Sequence, residues 1–119
     1  MKLIPVSIHE KTLRKLRCVV SNRPEVTLHH CHGGSMLTLA PEFPNPGTGQ
    51  RNNPFFQIPL HAEFHTGGYG IDTGTGWYKG VKEWEEAFGT QLGFLVVVNG
   101  HVSYDLWEQA REWQQINRS

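Results

Sequence analysis

Residues 26–34 read VTLHHCHGG, and this stretch decides how the rest of the chain is read. Val26, Thr27 and Leu28 lead into His29, His30, Cys31 and His32, and Gly33-Gly34 then signals a turn. The stretch predicts a β-strand that carries histidines into a turn. Neighbours on a strand point to opposite faces, so His29 and His30 cannot do the same job. One is placed to ligate a cation, while the other faces outward and takes a proton from water.

Downstream lies PEFPNPGTGQRNNP at 41–54, with four of the seven prolines and two glycines. It is too rich in breakers for a helix or a central strand. A second short strand is expected at 55–58. Pro59 sits where a helix can start, with residues 60–64 forming a turn or more before Gly67-Gly68-Tyr69-Gly70 breaks it. Residues 81–88 predict a helix ended by Gly89, with Trp84 and Phe88 on one face. LGFLVVV at 92–98 fits a strand by its β-branched residues and a helical face by Leu92, Leu95, Val96 and Asn99. Residues 104–116 look helical, with apolar Leu106, Trp107, Ala110, Trp113 and Ile116.

Upstream, SIHEKTLRKLR at 7–17 reads as a short basic helix or an extended arm, and Ser7 followed by Glu10 fits a capping box. Residues 18–20 form a short apolar run that ends in a turn at Ser21-Asn22-Arg23-Pro24. The order is basic arm, strand, long loop, strand, short helix, then helices, which is an α+β class with little sheet.

The 119 residues (13.5 kDa) amount to one domain. No apolar run approaches the roughly 18 residues of a membrane span, and the apolar stretch near Met1 is too short for a signal peptide. Cys18 and Cys31 read as cytosolic thiols. Formal net charge is zero and the pI is about 7.1, which excludes a binder that relies on bulk positive charge. The charge is uneven, however. Residues 1–60 hold Lys2, Lys11, Arg14, Lys15, Arg17, Arg23 and Arg51 against Glu10, Glu25 and Glu42, giving +4, and the remainder carries −4. The cluster Lys11, Arg14, Lys15, Arg17 and Arg23 is suited to phosphate contacts or is a solvated face. The aromatics Trp77, Tyr78, Trp84, Phe88, Trp107 and Trp113 fit core packing, with Trp77-Tyr78 the best candidate for base stacking.

Five of the seven histidines lie between 29 and 65. His61 and His65 are four apart, a spacing that shares one helix face and can bind one metal. A helix supplying either of them across from the strand completes a site with His29 or His30. An Asn of the intervening loop, Asn52 or Asn53, can hold a ring or the loop by hydrogen bonds. The combination suits phosphodiester hydrolysis, in which a metal stabilises developing charge and a neutral His activates water. Zn, Ni, Co or Mn fit imidazole-rich ligands, and Mg can enter with phosphate and water oxygens. Cys31 and His32 read as a small buried thiol and a loop His, or lie near the metal. His9 and His101 are expected at the surface.

At this point the chain resembles the HNH (ββα-metal) endonucleases, in particular the phage and prophage branch of recombination-enhancing, RecA-dependent nucleases. The matching motifs are Leu28-His29-His30, Gly47-Thr48-Gly49-Gln50, Ile58-Pro59-Leu60-His61 and Phe64-His65. They continue through Thr66-Gly67-Gly68-Tyr69-Gly70-Ile71-Asp72 to Trp84-Glu85 and Phe88-Gly89-Thr90-Gln91. The resemblance covers roughly residues 16–100. It implies a small ββα-metal core with additional C-terminal helices: a basic N-terminal arm at 1–15, the core at 16–100 and a C-terminal helix at 101–119. By the same resemblance His30 is the general base and His29 a metal ligand or an orienting residue. His65 is a ligand to one divalent metal (Mg, Mn, Zn or Ni), with His61 or Asp72 completing the coordination and Asn52 or Asn53 at the middle motif. It favours a helix for residues 92–98. DNA is the implied substrate, with Lys11, Arg14, Lys15, Arg17 and Arg51 as contacts and a recombinase such as RecA as a partner. The implied place is the cytoplasm of a bacterial host. A catalytically inactive DNA- or protein-binding module on the same fold is the alternative.

The chain also departs from that family. Relatives often hold a structural zinc through a Cys-x-x-Cys knuckle before the His-His pair, with a Cys and a His on the helix. Here the knuckle reads Cys18-Val19-Val20-Ser21, and the two helix positions are His61 and Phe64. No structural zinc is therefore expected, with Val19, Val20 and Phe64 packing in its place. His61 is either a catalytic ligand or the remnant of that lost site.

Overall fold

A computed structural model describes residues 3–43, 53–72 and 80–117. At its centre, β1 (Val26–His30) and β2 (Gln57–His61) form a two-stranded antiparallel sheet. His30 pairs with Gln57, His29 with Ile58, Leu28 with Pro59 and Thr27 with Leu60. Along β1 only His29 is fully buried; Thr27, on the same face, and His30, on the other, are exposed, and Val26 and Leu28 are half-buried. β2 is buried from Gln57 through Leu60, because other elements cover both of its faces.

Pro59 does not start a helix. It lies inside β2, which begins and ends later than the strand expected at 55–58. Its carbonyl accepts the Val19 N–H at 3.1 Å, on the edge of β2 away from β1. A strand residue's nitrogen points the same way as its carbonyl, so the missing proline N–H costs the β1–β2 ladder nothing. The helix α2 (Ala62–His65) begins three residues later, after the His61 ring, whose Nδ1 accepts the Glu63 N–H at 3.3 Å.

The N-terminal basic segment is a helix, α1 (Val6–Arg14). The Ser7–Glu10 capping box does not form. The helix starts at Val6 after Pro5, so Ser7 lies inside the first turn and its hydroxyl is not at the cap. α1 buries His9 and Leu13 completely, which places His9 in the core and not at the surface. The His9 ring lies on Phe55, with centroids 4.6 Å apart, and its Nδ1 is 2.5 Å from the Tyr104 hydroxyl. Burial lowers its pKa to about 4, against the opposing charge of Glu10.

After β1, Gly34–Leu39 forms a 3-10 helix. Three further helices follow α2: α3 (Val81–Phe88), α4 (Gln91–Asn99) and α5 (Leu106–Ile116). α3 ends at Gly89 (φ 128°), and Trp84 and Phe88 share a face with ring centroids 5.4 Å apart. Residues 92–98 are helical; Thr90 caps α4 through a hydrogen bond from the Gly93 N–H. Asp105 caps α5 by accepting the Trp107 and Glu108 N–H groups, so the C-terminal helix starts at Leu106 and not at 101. Val96 and Val97 on α4 stay exposed, at 59% and 51%.

The class is α+β, with a two-stranded antiparallel sheet and several helices. Leu13, Phe55, Ile58, Leu60, Trp84, Leu95, Leu106 and Ala110 form the fully covered centre of the core, with Val19, Val20 and Phe64 packed against it. Among the described residues no helix is long and apolar enough to cross a membrane.

Candidate metal centre

The site is assembled by a chain reversal after α2. The carbonyl of Ala62 accepts both Thr66 and Gly67 N–H groups, and the Glu63 carbonyl accepts Tyr69 N–H. Phe64 and His65 carbonyls then accept the N–H groups of Ile71 and Asp72, at 3.1 and 3.0 Å. The loop is this tight because Gly67 packs on α2: a Cβ there would stand 2.9 Å from Glu63 Cα. α3 pins the loop from the other side, with Trp84 Nε1–H donating to the Tyr69 carbonyl at 2.8 Å.

The reversal sets the Asp72 carboxylate among three imidazoles. Asp72 Oδ2 is 3.1 Å from His29 Nδ1 and 2.8 Å from His65 Nε2, and Oδ1 is 3.3 Å from His32 Nε2. His29 and Thr27 share a face of β1, and the Thr27 hydroxyl lies 2.7 Å from His65 Nδ1. Burial would raise the Asp72 carboxyl, but the imidazoles outweigh it and hold it well below the usual carboxylate range. Asp72 in turn raises His32 through its hydrogen bond, against burial.

His29, His32 and Asp72 each offer one ligand atom, and these atoms all lie within 4.8 Å of one another. Two imidazoles and a carboxylate suit Zn, Mn or Ni, whose bonds of about 2.0–2.2 Å to N and O require just such a gap. Of the residues expected as ligands, the structure brings His29 and Asp72 into this group and sets His65 on Asp72. His61 is not in it; its Nδ1 caps α2. His32, read either as a loop His or as lying near the metal, takes a place in it.

His30 is exposed at the end of β1, opposite Gln57. Partial burial of its ring holds its pKa below the ordinary imidazole value, with Glu10 opposing. Gln57 Nε2 donates to Glu10 Oε2 at 2.9 Å, which brings that carboxylate to the side chain paired with His30.

Asn53 is buried in a structural setting. Its amide donates to the Ala110 carbonyl at 2.9 Å and to Gln114, and its Oδ1 accepts the Phe55 N–H. Asn52, Arg51, Trp77 and Tyr78 lie outside the described residues. Lys11, Arg14, Lys15 and Arg17 are exposed along and just after α1, with Arg17 donating to the Asn22 carbonyl. Arg23 is paired with Glu63 at 2.7 Å. Cys18 is buried in the turn before β1, where its Sγ accepts the Ser21 N–H. Burial pushes its thiol up, yet this hydrogen bond and those from His61 and Val20 leave it below the ordinary value. Cys31 is a buried thiol pushed well up by burial. His101 is exposed.

Behind the group stands a second layer, in which Glu85 and Gln91 of the matching motifs take a role that their sequence positions did not assign. Gln91, Glu85 and Ser35 are linked: Glu85 accepts from the Ser35 hydroxyl and N–H at 2.6 and 2.9 Å and from the Gln91 N–H at 2.7 Å. Gln91 carries this network to both His29 and His32. Comparisons with family models, with curated proteins and with solved structures gave no match to this chain.

Proposed function

We propose that this protein is a metal-dependent DNA endonuclease of the HNH type, with β1, β2 and α2 as a small ββα-metal core. The observation that carries the reading is the convergence of His29, His32 and Asp72 next in sequence to an exposed strand-end His30, whose pKa partial burial lowers. The three converging side chains would hold one divalent cation, and His65 keeps the Asp72 carboxylate turned toward them. When bound, such an ion supplies stabilisation of charge on the phosphate and leaving oxygens.

His30 supplies the proton chemistry. It is exposed, so water and a phosphodiester can reach it, and a neutral imidazole is the form that accepts a proton. Lys11, Arg14, Lys15 and Arg17 supply cationic side chains for the DNA backbone, and Lys15 and Arg17 line a groove of about 400 Å³ together with His101. By the same resemblance a recombinase of the RecA kind is a partner, and a bacterial cytoplasm is the place of action.

Plasmid nicking in Mg, Mn, Ni or Zn, each against an EDTA control, tests the reading. Metal-dependent conversion of supercoiled to open-circular DNA supports it. DNA binding with no nicking under any of the four metals overturns it in favour of an inactive binding module.

A further inference from the structure

The two nitrogens of His29 face different oxygens. Nδ1 points at Asp72 Oδ2, and Nε2 lies 2.9 Å from Gln91 Oε1. The identity of that amide oxygen follows from the backbone alone. The same atom accepts the His32 N–H at 3.0 Å, and a peptide N–H can only donate. The other end of the amide lies 2.9 Å from the His32 carbonyl, which can only accept, so that end is the NH₂. Gln91 is therefore unable to flip without opposing two like groups on His32. An oxygen facing His29 Nε2 can only receive a hydrogen bond, so Nε2 carries a proton; Nδ1 also donates, to the Asp72 carboxylate, and it is this second proton that a cation would displace.

We infer that Gln91 is a positioning residue that fixes the His29 proton on Nε2 and so makes Nδ1 the nitrogen offered to a cation shared with Asp72 and His32. Gln91 is fully buried, as is His29, so water does not compete for either partner. Its place is set by α3 and the turn after β1. Glu85 accepts the Gln91 main-chain N–H at 2.7 Å and is itself held by Ser35, whose hydroxyl also accepts the Leu92 N–H at 3.1 Å. Ligand histidines are commonly oriented by a partner on the nitrogen away from the metal. Here the partner is an amide that also grips the main chain of a second ligand residue, so one side chain sets the orientation of both His29 and His32.

The inference rests on the cation-site reading, and the test separates the two. Nitrogen-15 NMR of the full chain, first metal-free and then with zinc chloride alone, assigns the protonated nitrogen of His29. The expected result is a proton on Nε2 in both states and zinc on Nδ1. The near-isosteric Gln91→Met removes the acceptor and is expected to release the Nε2 proton and to weaken zinc binding about 10–100-fold. Zinc on Nε2, or a metal-free His29 protonated on Nδ1 alone, overturns the inference whether or not the variant folds. A folded Gln91→Met with wild-type tautomer and affinity also overturns it. If zinc does not bind at all, the cation-site reading fails, and with it the offer of Nδ1; the metal-free spectrum then still decides whether Gln91 sets the tautomer.

Discussion

His65 Nε2 stands 2.8 Å from Asp72 Oδ2, seven residues further along the chain, because the loop after α2 folds back until residue 72 donates its N–H to the carbonyl of residue 65. One side of this contact is a helix end and the other a loop end, and the buried His29 of the neighbouring strand closes on the same oxygen. The carboxylate is thus the hinge of the whole group. Asp72→Asn keeps the shape and removes the charge. It is expected to weaken zinc binding by more than the ~10–100-fold that loss of an outer partner costs, read by isothermal titration calorimetry. Unchanged affinity would mean that the cation, if any, lies elsewhere.

Asn53 ties the end of the long loop to α5 and does not face the imidazole group. Asn53→Ala leaves the Phe55 N–H without its buried acceptor and takes from the Ala110 carbonyl the donor it has beyond its helical partner. The expected cost is about 1–3 kcal/mol in urea denaturation, with zinc affinity per folded molecule unchanged. Loss of zinc affinity at full stability would move Asn53 from structure into the site.

Gly34 sits at φ +47°, and a Cβ there would stand 2.2 Å from Glu85 Oε1 and 2.8 Å from Val81 Cγ1. Gly34→Ala therefore combines left-handed strain with a push on the carboxylate that holds Ser35 and Gln91. A loss of about 1–3 kcal/mol is expected, together with weaker zinc binding because Gln91 loses its anchor. Thermal melts with and without zinc check both parts.

His9 gives the chain a pH dependence that is independent of the site. The folded state keeps it neutral down to about 4, whereas the unfolded chain takes the proton near the ordinary 6.5. Between these values the unfolded state binds more protons, so the contribution is fully present above about 6.5 and is lost as pH falls toward 4. The loss amounts to at most about 3 kcal/mol. Denaturation curves of the wild type and His9→Gln across this range are expected to converge at the acid end, and parallel curves would contradict the assignment.

Local patterning made much of the framework legible. The alternation in residues 26–30 told His29 from His30, Gly89 marked the end of α3, and the apolar spacing of 106–116 described α5. Pro59 misled because a proline whose nitrogen and carbonyl both face the strand edge away from β1 looks, in sequence, like a helix start. His9 misled because its burial depends on Phe55 and Tyr104, far along the chain. The candidate site was half legible. His29, Asp72 and His65 were expected from motif order. His32 was left between a loop His and a place near the metal, because its role arises only when the loop closing at residue 72 reaches back to the strand end. Gln91 and Glu85 gave no chemical signal of their own, since a Gln and a Glu six residues apart are ordinary until a fold places them behind a histidine.

The central claim is that His30 takes a proton from water beside a cation held by His29, His32 and Asp72. It is tested most directly by the rate of supercoiled plasmid nicking for wild type and His30→Ala at equal bound metal. The account predicts that the variant keeps its fold and its zinc but loses nicking by about 10²–10⁴-fold. Nicking by His30→Ala at the wild-type rate would contradict it.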